Sequence, residues 1–231
     1  MTTESLPTKD RLLDAAEQLF ARKDFGDVSI RELATAAGVN IAAVNYHFHS
    51  KENLFHQVCA RRFSAQRDRT LQALDDLMQA SSSPPPVSEV VRTLIRQYLA
   101  GTLAADGGPG FLMAVSRELH QPGAGDHGGM FKEMIQPVFQ SFSDALHMAA
   151  PTLDADQVTW VIASIVGQIH HFIMRRVKME AMDPDSEAYG IMVGIFPVLA
   201  EPLPVYIDEV TAHITRFTTA AIEGLSREEE D

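Results

Sequence analysis

Cysteine is almost missing from this sequence: Cys59 stands alone among 231 residues. That excludes an intrachain disulfide framework and fits a reducing compartment. Long hydrophobic runs are missing too. The most apolar stretches, 158–173 and 189–200, are interrupted by Ser, Gly, Gln, His or Pro, so no transmembrane helix fits. The N-terminus, MTTESLPTKDRLLD, has no apolar h-region, so no signal peptide is expected and the expected location is cytoplasmic. Strand-like alternation is nearly absent and no repeat is evident. There is no HExxH and no paired-cysteine spacing, and the glycine-rich segment 107–110 lacks the Lys-Ser/Thr of a phosphate loop. His170 and His171 are adjacent, so on a helix they diverge by about 100°. No metal and no cofactor is expected.

What is present is helical periodicity and an uneven charge. Hydrophobic residues make up 45% of the chain, enough for a sizeable core. The net charge of −12 argues at first against a DNA partner. Its distribution reverses that argument. Residues 1–69 hold ten Lys/Arg and nine Asp/Glu, a net of +1, whereas 70–231 hold nine and twenty-two, a net of −13. Charges beyond about 8 Å are largely screened at physiological salt. A near-neutral head can therefore meet phosphate while an acidic body stays in solvent.

Apolar residues recur at helical spacing almost throughout. Thr8 can cap a helix with Leu12, Ala16, Leu19 and Phe20 on one face, ending near residues 24–26. Ser29 and Glu32 form a capping-box pattern that opens a short helix, stopped by Gly38. A third short helix is expected from about Asn40 to Phe48. Ser50 caps the next, which extends to about Met78. Ser81-Ser82-Ser83-Pro84-Pro85-Pro86 is the clearest break. Helices are expected from Ser88 to about Ala104, from Phe111 to His120 and over 130–149. In the last, Pro137 marks a kink or a junction. Asp154 with Gln157 opens a long helix to about Lys178. Residues 183–202 are ambiguous, and a last helix runs from about Pro204 to Glu223. The expected class is all-α: an N-terminal helix-turn-helix domain over 1–55 and a larger helical domain over 56–231.

Residues 29–48, SIRELATAAGVNIAAVNYHF, place two short helices around a tight turn with Gly38 at its start, as a DNA-reading helix-turn-helix requires. Gly38 suits a turn residue with positive φ. Val39, Val44 and Phe48 are placed to face a core. Ile41, Ala42, Ala43, Asn45, Tyr46 and His47 are left facing outward, a face suited to the major groove. An ordinary helical hairpin with a solvated face is the alternative.

These residues resemble the TetR/AcrR family of regulators. The likeness lies in LLDAAEQLFARKDFGDVSIRELATAAGV, NIAAVNYHF and the following SKENLF, about a quarter of the chain. The remainder is similar to the CerR-like (YbiH-like) branch in SRELHQPG, DQVTWVIASIVGQIHHFIMRR and HITRFTTAAIEGL. The resemblance implies a ligand-responsive regulator, a repressor released from a double-stranded operator by a small molecule, acting as a homodimer. It implies phosphate contacts from Ser29, Arg31 and Lys51, base contacts from Ala42, Ala43 and Asn45, and backbone contacts from Tyr46 and His47. His49 stands where many relatives have Gly, and Asn45 where many have Tyr.

In the larger domain, Val158, Val161, Ile162, Ile165 and Ile169 cover one side of the long helix, and Val210, Ile214, Phe217 and Ala221 one side of the last. Either these stripes form a four-helix dimer interface, the usual family arrangement, with Val161, Ile165, Ile169, Val210, Ile214 and Phe217 at its centre, or they pack in the core. Segments 111–139 and 160–174 mix Phe and Met with polar groups, which suits a small-molecule site. Phe111, Arg117, His120, Trp160, Gln168 and His171 are the candidate effector contacts. An all-α enzyme is a second reading, but no nucleophile–base pairing stands out. A purely structural helical protein is a third, and it leaves the outward face of 41–47 unexplained. Cys59 reads as a small packed residue.

Overall fold

Helical spacing of apolar residues becomes nine α-helices and two short 3₁₀ turns in the computed structural model, which describes residues 6–23, 25–80, 82–103 and 135–228. Among these residues there is no strand. The expected helix 111–120 and the candidate contacts Phe111, Arg117 and His120 lie outside the described residues. The described residues divide into two compact units, a head of residues 6–65 and a body of 66–103 with 135–228.

The head contains α1 (Thr8–Phe20), a 3₁₀ turn (Phe25–Asp27), α2 (Ile30–Ala36), α3 (Ile41–Phe48) and the first part of α4 (Lys51–Gln79). Leu12, Leu13, Ala15, Ala16 and Phe20 from α1 meet Leu33, Ala34, Val44, Phe48, Leu54 and Val58 in one buried cluster. Phe20, Phe25 and Phe55 pack ring to ring, with Phe20 and Phe55 edge-on at 5.0 Å. Cys59 is wholly buried in this cluster. On its rim Arg61 reaches Asp14 at 2.7 Å and Glu17 at 2.6 Å, while Arg62 takes the other oxygen of Glu17 at 2.6 Å. This bidentate clamp ties α1 to α4. Sequence spacing does not show it, because the partners are more than forty residues apart.

The body contains the rest of α4, then α5 (Val87–Leu103), α6 (Gln136–Ala149), α7 (Ala155–Glu180), α8 (Glu187–Ile195), a 3₁₀ turn (Pro197–Ala200) and α9 (Leu203–Glu228). The triple proline separates α4 from α5, and Pro137 sits in the first turn of α6, where its missing N–H costs nothing. The capping box opening α7 has both arms: Gln157 N–H donates to Asp154 Oδ1 at 2.7 Å, and Asp154 N–H to Gln157 Oε1 at 2.9 Å. Helix α5 packs against α6, α7 and α9. Val90, Val91, Leu94, Ile95 and Leu99 form its buried face.

The apolar stripes of α7 and α9 point into this core. Val161, Ile165, Ile169, Val210 and Ile214 are all buried within the single chain. The expectation that they form the dimer surface is therefore corrected: they are occupied by intrachain packing. Of the six expected residues only Phe217 is exposed, at 60%. The ambiguous stretch 183–202 resolves into α8, capped by the Ser186 hydroxyl accepting from Tyr189 N–H at 3.2 Å, and the 3₁₀ turn after it. No helix among the described residues is long and apolar enough to cross a membrane.

Candidate nucleic-acid interface

The turn between α2 and α3 is built from backbone hydrogen bonds. Gly38 N–H donates to Thr35 O at 3.1 Å and Val39 N–H to Ala34 O at 2.9 Å. These are the two bonds of a Schellman ending, which needs a left-handed residue at Gly38. Gly38 has φ of +63°, and a Cβ placed on it would meet nothing within 4 Å. The demand for glycine is thus conformational and not steric. Asn40 then caps α3, its Oδ1 accepting from Ala42 N–H at 2.9 Å. Ser29 caps α2 by accepting from Glu32 N–H at 3.1 Å. The reciprocal arm expected of the capping box is replaced: the Glu32 carboxylate takes the Lys23 ammonium at 2.6 Å. That contact holds the Glu32 carboxyl below its usual range.

Helix α3 anchors itself through Val44 and Phe48, which are wholly buried. The opposite side carries Ile41, Ala42, Asn45 and Tyr46, all exposed, with Tyr46 at 79%. His47 is half-buried, its ring edge-on to Tyr46 at 5.0 Å. Ser29 and Arg31 are exposed at the start of α2. The structure therefore brings Ser29, Arg31, Ala42, Asn45, Tyr46 and His47 to the accessible side of one helix-turn-helix. Ala43 departs from expectation. It is half-buried and packs against the head core, because its position turns it toward Val44.

Lys51 departs further. Its ammonium donates to Phe25 O at 2.8 Å and Val28 O at 3.0 Å, and lies 4.2 Å from the centre of the Phe25 ring. Two of its three donors are spent inside the head. The expectation that it pairs with phosphate gives way to a role as clasp between the segment 25–28 and α4. His49 adopts φ of +65° and ψ of −38°, in the left-handed half of backbone space. Ser50 N–H donates to Phe48 O at 2.7 Å across it, a γ-turn of the strained, positive-φ kind. Phe48 O also accepts from Asn53 Nδ2 at 2.9 Å.

An exposed, nearly uncharged helix face after a glycine-started turn is a surface that can lie along base edges. Residues 12–58 match the model of the bacterial regulatory proteins, tetR family. Over these residues the chain is similar to the tetR family. Among curated relatives, "Probable HTH-type transcriptional regulator YttP" of Bacillus subtilis is 29% identical over 84 residues, 36% of this chain and 40% of that protein. The "HTH-type transcriptional repressor BepR" of Brucella suis is 33% identical over 70 residues, 30% of this chain and 34% of that protein. The matched part thus spans well under half the length of either relative. Beyond these residues the likeness is one of fold. A transcriptional regulator of Aquifex aeolicus is superposable with a TM-score of 0.59 over 91% of this chain and 99% of that one, at 15% identity. The fatty acid degradation regulator FadR from Bacillus halodurans gives 0.57 over 85% and 96%, also at 15%. These relatives and neighbours are named as regulators, not enzymes.

The candidate effector contacts of the body do not gather into one site. Trp160 is 73% exposed, His171 is exposed, and Gln168 turns its amide onto Ser164 O at 3.4 Å. A groove does open near His171, but its walls are Phe172 and Phe196. The aromatic chain running through Phe196, His171, Phe172 and His213, at centroid distances of 5.7 to 6.3 Å, joins three segments. Sequence reading missed it because helical spacing within α7 carries no information about α9. Among the described residues no group of His, Cys, Asp or Glu could hold a metal ion.

Proposed function

We propose that this chain is a ligand-responsive transcriptional repressor that binds double-stranded operator DNA as a homodimer in the cytoplasm. The observation that carries the reading is the exposed face of α3, with Tyr46 and Asn45 standing out from a helix otherwise anchored in the head core. In this reading residues 1–55 carry the DNA contacts and 56–231 the effector and dimer surfaces. Arg31, Ser29, Tyr46 and His47 hold phosphates, and Ala42 and Asn45 lie against base edges. The named repressor BepR among the relatives supports repression.

The dimer surface of this proposal is the outward side of α7 and α9, opposite the buried stripes. Trp160, Ala163 and Gly167 on α7 and Ala212, Phe217 and Ala220 on α9 are exposed there. Small residues allow close helix approach, and Trp160 and Phe217 are the large apolar groups that desolvation favours as anchors.

A mobility-shift titration with the DNA upstream of the chain's own gene tests the reading. Tyr46→Ala should weaken binding to all sequences, because phosphate contacts carry little sequence information. Asn45→Ala should instead relax preference at one base position by about 1–3 kcal/mol if the amide is bidentate. Retention of full affinity and specificity by both variants would remove α3 as the reading helix.

A further inference from the structure

The Phe172–Phe196 groove lies wholly within the body and encloses about 800 Å³, inside the usual range for small-molecule sites. Its lip is prebuilt. Arg176 is buried and donates through Nη1 to Leu199 O at 2.6 Å and Glu201 O at 2.7 Å, and through Nε to Glu180 at 2.6 Å. The same guanidinium stacks on Tyr206 at 5.2 Å, and Tyr206 donates its hydroxyl to Phe172 O at 2.8 Å. One buried arginine thus fixes the 3₁₀ turn Pro197–Ala200 and the backbone of Phe172 together. A wall held this way loses little freedom on binding.

The chemistry of the walls is divided. Phe172, Ile195, Phe196 and Val198 supply an apolar side, with Ile195 65% exposed. Arg92 and Arg216 supply a cationic side, against a single carboxylate, Glu209, with His213 also present. This excess of positive charge stands in a part of the chain whose net charge is −13 by count over residues 70–231. Arg216 makes no ion pair or hydrogen bond among the described residues. Among the described residues Arg92 meets Glu89 alone, at 3.4 Å with both side chains about half exposed, a weak contact.

We infer that this groove binds an amphipathic carboxylate, its acid head between Arg216 and Arg92 and its apolar body against Phe172, Ile195 and Phe196. The inference rests on the reading of the body as an effector domain and specifies the effector's class. A neutral molecule of the same shape would leave two guanidinium groups partly desolvated without a partner. An amine would add like-charge repulsion. A polyanion would meet Glu209 and too few donors.

Calorimetric titration of the full chain with octanoate, octan-1-ol and octylamine tests it. Octanoate should bind about tenfold more tightly than either, the discrimination expected of a site with polar groups to satisfy. The double variant Arg92→Gln/Arg216→Gln changes only exposed side chains and should equalise octanoate and octan-1-ol. No preference for octanoate in the wild type, or an unchanged preference in the double variant, overturns the inference. Operator release is measured separately. Octanoate bound with the expected preference but without effect on the operator upholds the site and counts against the effector reading. Operator release by other compounds, with octanoate not bound, overturns the site alone.

Discussion

At the scale of single residues, the head separates positions that face DNA from positions that hold the fold, and Lys51 is the instructive case. A lysine at a helix start is a natural phosphate ligand by sequence, since the helix N-terminus attracts anions. Its actual partners, the carbonyls of Phe25 and Val28, are backbone atoms, and no side-chain pattern announces a backbone acceptor. Replacing it by Met should leave two carbonyls without their cationic donor and lower head stability by about 1–2 kcal/mol. Chemical denaturation without DNA checks this; a stability equal to wild type would return Lys51 to the phosphate role. His49 is legible in part, because its place where glycine is usual marks it as unusual. Its conformation, φ +65° in a γ-turn, shows the cost. Positive φ at a residue with a Cβ costs about 1–2 kcal/mol, partly offset by the entropy glycine loses on folding. His49→Gly should therefore raise stability by up to about 1 kcal/mol, read as a higher denaturation midpoint at unchanged slope.

At the scale of elements, periodicity reports that a helix has a buried face but not what buries it. The stripes Val161-Ile165-Ile169 and Val210-Ile214 are correctly visible in the sequence, yet intrachain and interchain burial leave the same signature there. The structure assigns them to the core. It leaves Trp160, and Phe217 from the end of the α9 stripe, on the outside. Helix ends were more readable than faces, because caps are local: Ser29, Ser50 and Asp154 each accept the hydrogen bond their position demands, whereas Thr8 starts α1 without a side-chain cap. Arg176, Phe172 and Phe196 were unreadable for the opposite reason, since α7 meets the segment 196–201 only in the folded chain. The two kinds of burial predict different failures. Ile165→Asp places a charge in the core and should unfold the body, with loss of the cooperative melt. Phe217→Asp should leave the melt of the monomer intact and dissociate the dimer. Light scattering paired with circular dichroism separates them; a dimeric, stable Phe217→Asp variant would exclude α9's outward face from the interface.

At the scale of the whole molecule, charge is segregated along the chain, with +1 over residues 1–69 and −13 over 70–231. Net charge would suggest repulsion from DNA, whose backbone carries one negative charge per about 1.7 Å of axis. Screening limits what each part feels to about 8 Å at physiological salt. The affinity of the proposed operator complex should therefore follow the phosphate contacts of the head and not the total of −12. Each phosphate neutralised contributes about −0.9 to the slope of log affinity against log salt. Arg31 is an exposed cation of the head at the start of α2, so Arg31→Gln should make the slope shallower by about one unit per protomer bound. The acidic body makes the opposite test available. Neutralising exposed body carboxylates such as Asp208 and Glu223 changes the net charge by as much as several head lysines would. It should leave the slope of salt dependence unchanged, because those groups release no counterions from the duplex. A fluorescence-anisotropy series across salt concentrations measures both variants. If the body substitutions shifted the slope as strongly as Arg31→Gln, the operator would be feeling the charge of the whole molecule, and the assignment of phosphate contacts to the head would fail.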